Sequence, residues 1–201
     1  MQRSAPALLP LLRSNVQGAL LALLYLHPDA EYSLSEAASI IGVSVKAVHS
    51  EASRLVENGF AADRRVGNVR LVRAVQDSIV ARPLTDLLAV TYGPMPVLTD
   101  LLAIVGGIQH AFIYGSWAAR YLGEPGPIPN DVDVLVVGTA DRDELDAVAH
   151  DAQHRLLRPV SVRRVLPRAW ESPEPADAFL ATVRERPLLA LRVGIGAGTQ
   201  P

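Results

Sequence analysis

Two aspartates separated by a single valine are the residues of this chain best suited to chemistry. Asp131 and Asp133 open an apolar run, residues 132–137, which the pattern predicts to be a buried strand. Alternate side chains of a strand project to one face, so the two carboxylates should lie side by side. Neighbouring carboxylates repel each other and are costly to bury unless solvent or a divalent cation reaches them. Mg²⁺ is the natural candidate, because it prefers oxygen ligands and is often shared between carboxylates and nucleotide phosphates.

A glycine and a serine precede this pair. Gly115 and Ser116 follow an apolar run, residues 108–114, and lead into a predicted helix, residues 117–122. Glycine lets the backbone approach where a side chain would obstruct it, and a serine at a helix start can offer its hydroxyl and amide to a phosphate. With the aspartates they predict a phosphate and metal site. The alternative is that Gly115 is an ordinary strand end and that the aspartates are a turn residue and a chance edge carboxylate.

These residues carry a family resemblance. The order Gly115-Ser116, helix, loop, Asp131-Val132-Asp133 resembles the G-S…D-x-D signature of the DNA polymerase β-like nucleotidyltransferases, and GSWAAR resembles the GSxAR of their minimal subgroup. The match spans about thirty residues. It implies that Asp131 and Asp133 hold a metal and, with Ser116, form the catalytic set. It also implies that Gly115, Ser116 and Arg120 bind a nucleoside triphosphate with Mg²⁺.

The resemblance is incomplete on the next predicted strand. In active members that strand supplies a third carboxylate, which acts as general base and helps to hold metal. Here residues 159–166 (PVSVRRVL) offer Ser161 and Arg163 instead, and residues 152–169 contain no acid. Two-metal transfer needs enough carboxylate oxygens for both ions, and losing a general base costs about 10² to 10⁴ in rate. Since Arg163 can still contact a phosphate, we expect binding of a nucleotide or partner rather than efficient turnover.

The first third of the chain has a different pattern. Ser33 with Glu36 forms the S-x-x-E capping box and predicts a helix over residues 34–41. A turn at Gly42 follows, and Ser44 caps a second helix that runs to about residue 57, which is a helix-turn-helix arrangement. Two predicted strands, residues 60–64 and 69–73, then form a hairpin around Gly67, or a wing. Residues 13–74 therefore resemble the winged helix-turn-helix of bacterial ArsR-like or MarR-like regulators.

The resemblance to these regulators implies double-stranded DNA as a partner. Small and polar side chains of the second helix can approach base edges, and arginines of a wing can contact phosphates or the minor groove. The residues expected to contact DNA are Ser44, Lys46, His49, Ser50, Arg54, Arg64, Arg65, Asn68 and Arg70. The residues of the second helix expected to face the core are Val45, Val48, Ala52, Leu55 and Val56. The alternative is a winged helix that serves only as a protein-interaction module.

Composition sets broader limits. The 201 residues are 49% hydrophobic and carry a net charge of −2, with 8 Lys/Arg against 6 Asp/Glu in residues 1–75 and 11 against 15 in the remainder. The absence of cysteine excludes disulfides and thiolate zinc sites. The apolar segment of residues 18–26 is too short to span a bilayer. We expect a soluble, cytoplasmic protein with no membrane partner.

The predicted fold class is α+β, in three parts. Residues 1–75 form the winged helix-turn-helix, residues 76–95 a linker helix, and residues 96–201 a small nucleotidyltransferase-like domain with a mixed sheet. Three hypotheses follow. We favour a homodimeric transcriptional regulator whose second domain binds nucleotide or a partner. The alternatives are an active nucleotidyltransferase and the antitoxin of a toxin–antitoxin pair, because minimal nucleotidyltransferases resemble partners of HEPN-type ribonuclease toxins.

Overall fold

A computed structural model describes residues 12–173 and 177–193 of the chain. The chain divides between Gly93 and Pro94 into two compact units. The outer ends of the two predicted domains, residues 1–11 and 194–201, lie outside the described residues. No helix in the described part of the chain is long and apolar enough to cross a bilayer.

The N-terminal unit has the element order of a winged helix-turn-helix. The three strands form an antiparallel sheet in the order β1-β3-β2, and β2 and β3 are joined by the two-residue turn Gly67-Asn68. The elements are α1 (Asn15–Leu26), β1 (Tyr32–Ser33), α2 (Leu34–Ile41), α3 (Val45–Glu57), β2 (Ala61–Val66), β3 (Val69–Ala74) and α4 (Ala81–Tyr92).

Local chemistry explains where the two helices of the motif begin and end. The Ser33 hydroxyl accepts a hydrogen bond from the Glu36 amide at 3.1 Å, and the Glu36 carboxylate accepts one from the Ser33 amide at 2.8 Å. The predicted capping box is confirmed. Gly42 ends α2 at a φ of 72°, in the left-handed region that favours glycine, and the Ser44 side chain caps α3.

Helix α1 lies at the centre of this unit. Most of its circumference is buried, and the Tyr25 hydroxyl donates to the Phe60 carbonyl at 2.8 Å. Phe60 directly precedes β2, so this bond ties the central helix to the base of the wing. Burial also raises the pKa of Tyr25.

The C-terminal unit is built on a mixed four-stranded sheet in the order β6-β5-β4-β7. Strand β4 is antiparallel to β5 and β7, whereas β5 and β6 are parallel. The mixed α+β class agrees with the sequence prediction. The elements are α5 (Pro94–Leu102), β4 (Ile108–Tyr114), α6 (Gly115–Tyr121), β5 (Val132–Gly138), α7 (Arg142–Leu156), β6 (Val160–Val165), α8 (Pro167–Glu171), α9 (Ala178–Glu185) and β7 (Leu189–Leu191).

Strand β5 is covered on both faces. Val132 and Val134 are fully buried on one face, and Leu135 is fully buried on the other, where it packs with Val165 and Leu180. A strand buried on both faces needs a nearly continuous apolar sequence, as this one has. Asp131 directly precedes it, and Asp133 is the one residue of β5 that is not buried.

Candidate functional site

The structure brings Asp133 against the start of α6. Asp133 is the register partner of Tyr114, the last residue of β4, and Gly115 follows directly. A Cβ atom on Gly115 would lie 2.9 Å from Oδ2 of Asp133, closer than real side chains approach. Gly115 also has a φ of +70°. The backbone conformation therefore favours glycine here, and a side chain at this position would have to displace the Asp133 carboxylate.

The two aspartates share an electrostatic environment. Asp131 is exposed and Asp133 is half-buried. Burial raises the pKa of Asp133 above its usual value, and the negative charge of Asp131 raises it further. A cation beside the pair would remove both penalties, so this donor set fits one Mg²⁺ whose other ligands are phosphate and water oxygens. Among the described residues, no group of three or more His, Asp or Glu side chains is placed to hold a metal by itself.

Ser161 and Arg163 lie beside the aspartates, on β6. In the parallel register Ser161 pairs with Asp133, and Arg163 pairs with Leu135, the next residue on that face. The Arg163 guanidinium carbon lies 3.5 Å from the ring centroid of Phe179. Within residues 12–173 and 177–193 it has no ionic partner. The position expected for a third carboxylate is thus occupied by a serine and a cation.

Tyr114 completes this cluster. Its ring packs edge-on against Phe179, with centroids 5.8 Å apart. Burial raises the pKa of Tyr114, the charge of Asp133 raises it further, and the charge of Arg163 lowers it. A carboxylate, a guanidinium and a phenol therefore lie within electrostatic range of one another at this edge of the sheet.

The other predicted nucleotide-binding residues lie on α6. Ser116 is exposed in the first turn of this helix. Arg120 is half-buried in the last turn and donates from Nη1 to the Glu124 carbonyl at 3.4 Å. Ser116 therefore presents its hydroxyl to solvent, whereas Arg120 stabilises the loop that leads from α6 to β5.

In the N-terminal unit, helix α3 presents most of its predicted DNA-contacting residues to solvent. The exposed ones are Ser44, Lys46, His49, Ser50 and Arg54. Val45 was predicted to face the core, and that prediction is wrong: the residue is 48% exposed. It lies in the first turn, where the helix has no preceding turn to cover it, so the apolar spacing did not reveal its exposure.

Arg54 is tied to a buried carboxylate that the sequence did not reveal. The Glu51 residue is only 7% exposed, and its Oε1 lies 2.8 Å from Nη2 of Arg13 and 2.9 Å from Nη1 of Arg54. Buried carboxylates are normally paired, and both arginines keep about half of their side chains in solvent. Glu51 therefore fixes α3 to the segment before α1.

The three arginines predicted at the wing tip occupy different environments. Arg64 and Arg65 are adjacent in β2, so their side chains project to opposite faces of the hairpin. Arg64 donates from Nε to Glu31 at 2.8 Å, and Arg73 lies 3.7 Å from the same carboxylate. These cations, Arg64 above all, hold the pKa of Glu31 below its usual value. Arg65 has no ionic partner among the described residues.

Arg70 connects the wing to α3. It donates from Nε to Asp63 at 2.6 Å and from Nη1 to the Ser53 hydroxyl at 2.9 Å. Only 17% of its side chain is exposed. Arg70 was predicted to contact DNA from the wing, and in the structure two of its donor atoms, Nε and Nη1, position the wing against α3.

An open groove of about 350 Å³ lies between the start of α2, α3 and the wing. It combines hydroxyls, cations and a few apolar side chains. Four predicted DNA contacts line it: His49, Arg65, Asn68 and Arg70. The lining residues are Ser33, Leu34, Ser35, Val45, His49, Arg65, Asn68, Val69 and Arg70.

No protein-family profile and no curated protein matches the chain. Three solved structures resemble part of it. Reduced HlyU from Vibrio cholerae is 21% identical over 41% of this chain and 81% of its own, with a TM-score of 0.34. The haem sensor PefR from Streptococcus agalactiae, in complex with haem, is 23% identical over 37% of this chain and 53% of its own, with a TM-score of 0.32. A mutant of MarR from E. coli is 18% identical over 44% of this chain and 64% of its own, with a TM-score of 0.34.

The raised pKa of Asp133 predicts a pH-dependent stability effect. Because the folded state favours the protonated carboxyl, ionised Asp133 destabilises the fold at neutral pH, and this cost disappears below the ordinary pKa of an aspartate, 3.8. We expect Asp133→Asn to raise the free energy of unfolding at pH 7, and this gain to vanish as the pH falls to 3.5. Urea unfolding at both pH values measures it, with the exposed Asp151→Asn as control. An equal gain at both pH values would contradict the assignment.

Gly115 and Gly123 allow a matched test of the contact with Asp133. Both have positive φ, but a Cβ on Gly123 would meet nothing within 4 Å. Alanine at either position should cost about 1–2 kcal/mol of stability, because left-handed backbone disfavours a side chain. Only Gly115→Ala should also move the Asp133 carboxylate and change its titration, followed by carboxyl ¹³C NMR. Identical titration curves in the two variants would show that the contact has no influence on Asp133.

Proposed function

We propose that this protein is a DNA-binding transcriptional regulator whose second unit is a nucleotidyltransferase-like domain with weak or no catalytic activity. The winged helix would contact double-stranded DNA as one half of a homodimer, because winged regulators commonly read two half-sites. The second unit would bind a nucleotide with Mg²⁺ or a protein partner. The observation that carries the proposal is the groove in which the exposed face of α3 and the wing come together.

The charges around the groove favour nucleic acid. Lys46 and Arg65 are exposed cations without ionic partners among the described residues, which leaves them available to phosphates. His49 and Ser50 add short polar side chains on the outer face of α3, suited to the edges of bases in the major groove. Arg70, held by Asp63 and Ser53, fixes the distance between the two contacting elements.

The acidic end of β5 favours phosphate binding by the second unit. Half-buried Asp133 pays a penalty for its charge that a bound cation would offset, and Ser116 lies exposed in the turn that follows Gly115. When bound, Mg²⁺ would neutralise the two carboxylates and hold phosphate oxygens. Arg163 stands where a general base is needed, so it can contact a phosphate but cannot accept a proton from an attacking hydroxyl.

An active nucleotidyltransferase is the second candidate. The close approach of Asp133 to Gly115 supports it, since such a contact keeps the carboxylate beside the start of α6. A toxin protein as the partner of the second unit would make the chain an antitoxin that regulates its own operon, and this possibility follows from the sequence resemblance alone.

The wing arginines give the test of DNA binding. Arg65→Ala should weaken binding to a random-sequence duplex several-fold and reduce the slope of log K against log salt by about one, since one phosphate contact is lost. Fluorescence anisotropy from 50 to 200 mM salt measures both quantities. Glu31→Gln should strengthen binding at low salt, because it releases Arg64 and Arg73.

Arg142→Ala, an exposed arginine at the start of α7, is the control for a simple loss of positive charge. The proposal fails if Arg65→Ala binds with the affinity and salt slope of the wild type. It also fails if Arg142→Ala weakens DNA binding as much as Arg65→Ala does, because the affinity for DNA would then reflect the net charge of the protein rather than contacts of the wing.

The acidic pair gives the test of the second unit. Calorimetric titration with nucleoside triphosphates should show binding that requires Mg²⁺ and weakens at least about tenfold in Asp133→Asn, since one of two carboxylate ligands is lost. Asp151→Asn should bind like the wild type. Radiolabelled nucleotide should transfer slowly or not at all. Rapid transfer that disappears in Asp133→Asn would establish the enzyme instead, and no binding with any nucleotide would remove the nucleotide proposal.

A further inference from the structure

Val45 is an exposed apolar side chain at the start of α3. It is the first residue of α3 and is 48% exposed, although the next apolar residue of the helix, Val48, is fully buried. Its side chain lines the groove one helical turn before His49 and opposite Arg65 and Asn68 of the wing. Leu34 and Val69 also line the groove, but Val45 is the apolar lining residue that belongs to α3, the helix proposed to meet base edges.

Duplex DNA offers few apolar partners for such a side chain. In the major groove the one apolar group on a base edge is the C5 methyl of thymine. Recognition helices insert their N-terminal residues against base edges, and Val45 is the N-terminal residue of α3. Valine is also stiff at χ1, so it loses little side-chain freedom when it is buried in a complex.

We infer that Val45 determines specificity by packing against the methyl group of a thymine in each recognised half-site. The inference rests on the proposed DNA binding and adds the chemistry that one residue reads. His49, Arg65 and Asn68 surround it with polar groups that contact neighbouring base edges or phosphates, whereas Val45 distinguishes thymine from the other bases by shape and by exclusion of water.

The experiment begins with the full chain and a duplex selected from a random library for tight binding. Each thymine of the selected site is then replaced singly by deoxyuridine, which removes the methyl group and leaves pairing unchanged. For the wild type we expect affinity to fall about fourfold at one position per half-site, as for one methyl group returned to water. Val45→Ala should bind the intact site several-fold more weakly and show no further loss with uracil at that position.

Val66→Ala is the matched control, because Val66 is 51% exposed but lies at the end of the wing strand β2, outside the groove. It should retain the uracil sensitivity of the wild type. Circular dichroism of both variants establishes that they are folded. If no single replacement of thymine by deoxyuridine weakens binding of the wild type to a selected site, the inference is overturned and DNA binding is left intact. Equal uracil sensitivity in Val45→Ala also overturns it, and failure to select any duplex overturns both the inference and the proposed function.

Discussion

The main constraint on the C-terminal unit is the carboxylate of Asp133, which lies at the beginning of β5, a strand that is buried on both faces. Strand β5 is buried along nearly its whole length, so polar chemistry is confined to its first residues. Asp133 is accommodated there because Gly115 has no side chain, and the left-handed backbone of that glycine turns the chain from β4 into α6. The same turn places Ser116 at the surface. The end of the β4–β5 register, the glycine conformation and the exposed hydroxyl thus lie together at one close contact.

In the N-terminal unit the corresponding constraint is the pairing of acids with arginines. Glu51 holds Arg13 and Arg54, Glu31 holds Arg64, and Asp63 holds Arg70. Exposed ion pairs contribute little to stability, so the pairs made by Glu51 (side chain 9% exposed) and by Arg70 (17% exposed) should matter more than the pair of Glu31 and Arg64. The pairs have different structural roles. Glu51 fixes α3, and Asp63 with Arg70 positions the wing against α3. Glu31 neutralises Arg64 on the other face of the hairpin.

Local sequence rules predicted much of this fold. The capping box at Ser33, the serine cap at Ser44 and the two-residue hairpin turn depend on neighbours in sequence, and the structure has all three. The nearly continuous apolar run of β5 likewise predicted its burial on both faces. The rest depends on contacts between distant residues. Nothing in the helical periodicity indicates that Glu51 meets Arg13, 38 residues away, or that Arg70 bonds to Ser53 across the groove. The exposure of Val45 was missed because spacing alone does not tell the first turn of a helix from its middle.

The pairing of wing arginines with Glu31 and Asp63 has a consequence for how such a surface would travel along DNA. Each acid already serves as an internal counterion for an arginine of the hairpin. If the hairpin binds DNA as proposed, fewer small ions would therefore be released than the number of its arginines suggests. Binding to arbitrary sequence would then be weaker and each non-specific complex shorter-lived. Glu31 and Asp63 would in that case favour a rapid search over tight non-specific binding.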